Sequence, residues 1–191
     1  MMEQKKKKVL TILGGPRRNG ITAKMLTCVE SVAQNNGFEV NRINLYEKKI
    51  AFCIGCRKCF ETGECIQKDD AVVIAGMLKE CDIVVLAAPV YWANVPAAVK
   101  NLFDRISGTV MEETGTFPKG RLSEKQRFIF LTSCNTPAPF SWIFGQSRGA
   151  IKAVDEVFKT AGMKCGGHFV CAGNKEKLSR GLTRRLQRIF R

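Results

Sequence analysis

The apolar residues of this chain switch period along its length, and that alternation limits the fold more than any other feature. Val9-Leu10-Thr11-Ile12-Leu13 is a short continuous apolar run closed by Gly14-Gly15-Pro16, the pattern of a strand buried on both faces. Met25, Leu26, Val29, Val32 and Ala33 then recur at helical spacing, with Gly37 as the stop. The exchange repeats. A more polar strand over Phe38 to Leu45 suits a sheet edge. A helix capped by Asp69 or Asp70 runs to about Lys79. A buried strand over Ile83 to Ala88 ends at Pro89, and Pro96 opens a helix with Val99, Leu102, Phe103 and Ile106 on one face. A strand over Phe128 to Leu131, a helix around Ile151, Val154, Val157 and Phe158, a strand over Phe169 to Ala172 and a basic helix over about 175–190 complete the order. Five strands alternating with five helices predict an α/β fold with one parallel sheet and helices on both faces, and right-handed crossovers leave few topologies.

With 191 residues, no internal repeat and no long linker, residues 1–191 read as a single domain. The stretch at about 51–68 has neither period and reads as a Cys-rich loop insertion. Lys and Arg outnumber Asp and Glu by 31 to 17, a formal charge of +14 that attracts anions of any kind. The basic residues are spread over the tail, the loops and the final helix without a recognised nucleic-acid-binding motif. Phosphorylated cofactors and acidic partners are therefore preferred to nucleic acid. Nine cysteines are an odd number, and four of them fall between Cys53 and Cys65. That distribution suits metal or redox chemistry in a reducing compartment rather than a disulfide framework. The basic segment Met1 to Lys8 precedes an apolar run too short for a signal-peptide core, and no run reaches membrane-spanning length. The expected location is cytoplasmic.

Ligands of open parallel sheets bind beyond the carboxyl ends of the strands, where the winding reverses. The loop after the first strand, Gly14-Gly15-Pro16-Arg17-Arg18-Asn19-Gly20-Ile21-Thr22, leads into a helix N-terminus, which attracts anions. Gly15, Gly20 and Ile21 offer backbone N–H groups, and Arg17, Asn19 and Thr22 add side-chain donors. The loop lacks both the Lys-Ser/Thr end of a P-loop and a GxGxxG fingerprint, so a monophosphate fits it best. A plain turn with surface arginines is the alternative. The loop after the third strand, Pro89-Val90-Tyr91-Trp92-Ala93-Asn94-Val95-Pro96, sets two aromatics and an amide between prolines. This is a platform for a planar ring, or else a cover for the sheet end or a subunit interface. The loop after the fourth strand, with Thr132, Ser133 and Cys134, offers small polar contacts to the same crevice, or is simply a turn.

These three segments together, GGPRRNGIT, PVYWANVPAAVKNLFDR and LTS, resemble the NAD(P)H-dependent FMN reductases and related flavodoxin-like oxidoreductases. The resemblance runs from about Val9 to Gly173. It implies a flavodoxin-like doubly wound five-stranded parallel sheet of order 2-1-3-4-5. It also implies FMN as cofactor, with phosphate contacts from Arg17, Asn19 and Thr22 and ring contacts from Pro89, Tyr91, Trp92, Asn94 and Ser133. NAD(P)H would be the co-substrate, and electrons would leave to a quinone, flavin, nitro compound or metal ion, or to a protein acceptor. A homodimer or homotetramer is implied in the same way. One departure stands out: the family usually has Ser where this chain has Gly15, which removes one hydroxyl donor.

Cys53, Cys56, Cys59 and Cys65 follow C-x2-C-x2-C-x5-C. The spacing resembles the compact motif of the iron–sulfur flavoproteins, a branch of the same family. It implies a [4Fe–4S] cluster beside FMN and single-electron relay between protein partners as the alternative function. Structural zinc and four plain thiols are the competing readings. Cys28, Cys81, Cys165 and Cys171 read as buried apolar fillers, while Cys134 falls in a ligand loop. The single histidine, His168, reads as structural. Asp104-Arg105 reads as a solvated helix end or an interface ion pair. In the last helix Leu178, Leu182, Leu186 and Phe190 form an apolar series among Arg180, Arg184, Arg185, Arg188 and Arg191. That pattern predicts packing on the sheet with a solvated basic face, with an acidic redox partner or a membrane surface as the alternatives.

Overall fold

The computed structural model describes residues 6–190. Met1 to Gln4, Lys5 and Arg191, and with them most of the basic N-terminal segment and the last arginine of the terminal series, lie outside the described residues. In chain order the elements are β1 (Lys8–Leu13), α1 (Ile21–Asn35), β2 (Glu39–Asn44), a 3-10 turn (Leu45–Glu47), α2 (Lys58–Thr62), α3 (Asp70–Glu80), β3 (Ile83–Pro89), α4 (Ala97–Val110), β4 (Met111–Glu112), β5 (Lys119–Gly120), β6 (Arg127–Cys134), α5 (Phe140–Ile143), α6 (Gln146–Thr160), β7 (Lys164–Ala172) and α7 (Arg180–Leu186). The main sheet has the order β2-β1-β3-β6-β7, and every pairing in it is parallel. The parallel sheet is the one expected from the alternation, and its order is the flavodoxin-like 2-1-3-4-5 that the family resemblance implied.

The continuous apolar runs are explained by a core on each face of the sheet. Leu10, Ile12, Val84, Leu86, Phe128 and Phe130 face α3, α4 and α6, where they meet Ile74, Leu78, Leu102, Ile106, Val154 and Phe158. Their neighbours Val9, Leu13, Val85, Ala87, Ile129 and Leu131 face α1 and α7, where they meet Met25, Leu26, Val29, Leu182 and Leu186. Because successive strand residues point to opposite faces, both halves of the period must be apolar. Each large side chain so buried stabilises the fold by about 1.5–3 kcal/mol. The polar exception in β1, Thr11, donates to Glu30 Oε1 at 2.6 Å, and Arg42 holds the other oxygen of that carboxylate at 2.9 Å.

Several boundaries differ from expectation, among them β6, which runs from Arg127 through Cys134 and so takes Thr132, Ser133 and Cys134 into the strand, and β7, which begins at Lys164, five residues before Phe169. The second strand loses a residue at each end. The connector after α4 contains a two-strand antiparallel hairpin, β4 with β5. The terminal helix is shorter than 175–190: residues 175–179 are loop, and Ser179 caps α7 by accepting from Leu182 N at 3.2 Å. Its apolar series packs inward as predicted, with Phe190 against Phe38 at 5.0 Å between centroids and Arg185 over the Phe169 ring. No helix among the described residues is long and apolar enough to cross a membrane.

Cys81, at the α3–β3 junction, is buried. Burial, reinforced by the charge of Asp82, pushes its thiol up to about 12. Since the thiolate is the reactive form, Cys81 is expected to resist iodoacetamide at pH 8 in the native protein while exposed Cys53 and Cys56 are modified. Peptide mapping by mass spectrometry checks this, and early labelling of Cys81 would contradict it.

Candidate active site

The carboxyl ends of β1, β3, β6 and β7 open onto one cleft. It is lined by Leu13, Gly15, Pro16, Arg17, Gly20, Ile21 and Thr22 from the first loop, by Pro89, Val90 and Tyr91 from the second, by Ser133, Cys134 and Asn135 from the third, and by Gly173, Asn174 and Lys175 after β7. The cleft is built for an anion at one end. α1 has no side-chain cap and no acidic residue in its first turn. Its first helical bond runs from Lys24 N to Gly20 O at 3.0 Å, which leaves the N–H groups of Ile21, Thr22 and Ala23 free for a ligand. Thr22 and Ser133 bring their hydroxyl oxygens to 2.9 Å across the cleft floor, joining the first and third loops.

Gly15 has a packing reason to lack a side chain. A Cβ there would sit 2.9 Å from Pro89 Cδ, so the loops after β1 and β3 touch through this residue. A serine at this position would force the two loops apart, which accounts for the departure from the family pattern.

The second loop is a tight turn. Tyr91 and Asn94 exchange backbone hydrogen bonds of 2.8 and 3.0 Å, and Trp92 and Ala93 both take left-handed φ values of 50° and 57°. Such strain in bulky residues concentrates at functional sites. Trp92 projects fully into solvent and is not on the cleft wall. Nor is Asn94, whose Oδ1 accepts from Val95 N at 2.8 Å and so stiffens the turn. Thr132 is buried in β6 with its hydroxyl unpartnered. Asn19 lies in an adjoining groove with Arg17, Arg18, Lys24 and Lys175. The remaining residues expected at the site, Gly15, Arg17, Gly20, Ile21, Thr22, Pro89, Val90, Tyr91 and Ser133, converge on the cleft.

The loop after β7 was not expected there. Lys175 brings a further cation to the cleft beside Arg17, and Lys24 Nζ holds this loop through Glu176 O at 2.8 Å. The signal for it was the rule that every strand's carboxyl end faces the crevice, here obscured by a helical pattern assigned to the same residues.

The cysteine loop lies against α4. Cys53 and Cys56 are exposed, and Cys59 and Cys65 are partly buried. Arg57 takes a left-handed φ of 61° just before α2, which curls the chain between Cys56 and Cys59. α2 meets α4 at Gly108, where a Cβ would stand 2.6 Å from Cys59 Sγ. The loop is clamped by Arg105, whose side chain is fully buried. Its Nη1 donates to Ala51 O at 2.7 Å and Asp69 Oδ2 at 2.6 Å, and its Nη2 donates to Gln67 O at 2.9 Å and Asp69 Oδ1 at 3.0 Å. Arg105 is thus neither a solvated helix end nor an interface residue, and Asp104 pairs instead with Lys100. Burial opposes ionisation of Asp69, but the Arg105 hydrogen bond and the N–H groups of Ala51 and Ala71 outweigh it and hold the carboxyl below its ordinary value.

Among the described residues, no three of the four clustered sulfurs come within 4.8 Å of one another. A single zinc with Zn–S bonds of about 2.3 Å would need them nearer, about 3.8 Å apart. An iron–sulfur cubane, which places each sulfur on its own iron, suits four thiolates with wider spacing. As placed, these sulfurs do not converge on a single mononuclear ion.

The family model for NADPH-dependent FMN reductase matches residues 7–132, the segment that carries the first two ligand loops and the start of the third. The chain belongs to this family. An iron–sulfur flavoprotein of Archaeoglobus fulgidus is 42% identical over 99 residues, covering 52% of this chain and 45% of that protein. The chain thus spans about half the length of the curated relatives it matches. Two solved structures share the fold at low identity. An NAD(P)H:quinone oxidoreductase from Methanothermobacter marburgensis has a TM-score of 0.76 at 14% identity, covering 97% of this chain and 98% of its own. An FMN-dependent NADH-azoreductase from Bacillus anthracis in complex with FMN has a TM-score of 0.73 at 15% identity, covering 96% and 95%.

Proposed function

We propose that the chain binds FMN in the cleft and uses it to pass electrons from NAD(P)H to an acceptor such as a quinone, a flavin, a nitro compound or a metal ion. The observation that carries this reading is the meeting of an uncapped helix N-terminus, the Thr22–Ser133 hydroxyl pair and the Tyr91 turn in one cleft. When bound, FMN supplies the hydride and electron chemistry at its ring nitrogens. Arg17, Lys175 and the free N–H groups of α1 bind the phosphate. Ser133 and the neighbouring Asn135 offer hydrogen bonds to the polar edge of the ring, and Tyr91 gives it an apolar wall. No protein acid or base is assigned, because hydride transfer to the flavin needs none. The cleft, about 160 Å³, is smaller than the enclosed sites of about 300 Å³ or more that surround whole ligands. It therefore leaves part of a bound FMN exposed, where a second substrate can reach it. Trp92 in the loop after β3 and Phe140, Trp142 and Phe144 in the segment after β6 are exposed and suit coverage by a second copy in a homodimer or homotetramer. The nine cysteines suit a reducing, cytoplasmic setting.

Anaerobic stopped-flow mixing with NADH or NADPH tests the reading. The FMN-loaded protein is expected to bleach its flavin absorption within one catalytic cycle. Flavin that binds but stays oxidised against both nucleotides would remove the nicotinamide donor.

A second reading is favoured by the Arg105-clamped loop: Cys53, Cys56, Cys59 and Cys65 hold a [4Fe–4S] cluster and the protein relays single electrons between protein partners. It predicts iron and acid-labile sulfide in about fourfold amounts per chain after anaerobic purification, and reduction by ferredoxin in preference to nicotinamide. Flavin without iron would leave the first reading alone.

A further inference from the structure

Residues three apart in a regular strand point to opposite faces of the sheet. Cys165 and His168 of β7 do not. Phe128 of β6 pairs with Cys165 but Ile129 pairs with Gly167, so Gly166 is an inserted residue and β7 carries a bulge. The insertion returns Cys165 and His168 to the face that packs on α6. The bulge depends on its glycines. Gly167 has φ +135°, and a Cβ on Gly166 would meet Ile129 Cγ1 at 3.0 Å and Phe128 O at 3.3 Å. Cys165 is therefore not the buried filler its sequence context suggested; it is exposed, beside the only histidine of the chain.

α6 supplies a third group. Asp155 Oδ1 lies 2.7 Å from His168 Nε2, and Cys165 Sγ lies 3.4 Å from the same nitrogen. All three ligand atoms fall within 4.8 Å of one another, the one such set of His, Cys and acidic groups among the described residues. One imidazole nitrogen carries one proton or one lone pair, so it serves one of these two partners well and leaves the other wanting. A cation at the focus would satisfy all three. Lys159 takes the other carboxylate oxygen, Oδ2, at 2.8 Å, which leaves Oδ1 aimed inward. The Phe128 ring lies 6.3 Å from the imidazole and packs beside it.

We propose that Cys165, His168 and Asp155 form a binding site for one borderline divalent first-row cation of the zinc class. A mixed S, N and O donor set suits such ions. Ligand bonds of about 2.0–2.3 Å at tetrahedral angles place ligand atoms about 3–4 Å apart, so the present spacing needs only small shifts. Three protein ligands on a partly exposed surface leave the fourth position to water, as in open zinc sites. The site lies towards the amino end of β7 and is built from residues the flavin cleft does not use.

Cobalt(II) is the probe, titrated into the tag-free, FMN-loaded full chain, with C165S and H168Q alongside and C56S as a control for the cysteine loop. Wild type is expected to bind one equivalent more than C165S or H168Q, with a thiolate-to-cobalt charge-transfer band that both variants lose and C56S keeps. The affinity loss should be at least about 100-fold. Retained FMN and an unchanged far-ultraviolet circular dichroism spectrum identify variants that fold. Equal stoichiometry in wild type, C165S and H168Q would overturn the site and leave only a His–Asp hydrogen bond, as would a charge-transfer band that disappears in C56S but survives in C165S.

Discussion

Replacing Arg105 with methionine is expected to destabilise the protein by about 3–5 kcal/mol at pH 7, the usual cost of removing one partner from a buried ion pair. The side chain is fully buried and its guanidinium makes four hydrogen bonds to three residues of the cysteine loop and its exit. Methionine fills much of the volume but leaves Asp69 charged, partly buried and without its cation, leaves the Gln67 carbonyl without a donor and leaves Ala51 O only a long 3.5 Å bond from Asn101. Urea denaturation followed by circular dichroism measures the loss. The pH dependence gives a second readout. Asp69 has a depressed carboxyl, so its contribution is complete above the unfolded carboxylate value, near 3.8, and fades as pH falls through the lower folded value. The gap between wild type and R105M should therefore narrow on acidification below that range. A gap under about 1 kcal/mol at pH 7 would mean that the cost of desolvating the pair cancels its attraction. The same variant should speed alkylation of Cys59 and Cys65 by freeing the loop.

A valine at Gly15 should weaken FMN binding about 10- to 100-fold. A Cβ there would meet Pro89 Cδ at 2.9 Å, and overpacking of this kind costs about 1–3 kcal/mol, which is one to two powers of ten in affinity. The clash parts the phosphate loop from the aromatic loop, and both lie on the cleft wall. Quenching of flavin fluorescence on titration gives the dissociation constant. G15S carries the same Cβ with a hydroxyl added, and it should bind more weakly than wild type because the misfit outweighs the new donor. Unchanged FMN affinity in G15V would show that the two loops do not hold the cofactor together.

Several features of the site follow from local pattern alone. The cap of α3 at Asp69, the opening of α4 after Pro96 and the phosphate loop between Leu13 and Thr22 are each set within a few residues, by hydrogen bonds and steric rules that do not depend on distant contacts. Arg105 shows the opposite. In the sequence it is a charge beside the apolar positions Leu102 and Ile106, and nothing nearby says that it is buried. Its partner Asp69 lies 36 residues away and meets it only because α3 and α4 pack side by side. Lys175 reaches the cleft for a similar reason: the last parallel crossover sets the end of β7 beside the end of β6.

The sequence by itself determined the order of the five sheet strands and the five principal helices, the sheet class and the loops that face the cleft, because period, caps and turns act over one or two helical turns. Only the tertiary structure decided which side chains share a wall of the cleft, which of Trp92, Asn94 and Thr132 turn away from it, and that a one-residue bulge sets Cys165 and His168 over Asp155. Those outcomes rest on strand register and helix packing, where a shift of a single residue sends a side chain to the opposite face.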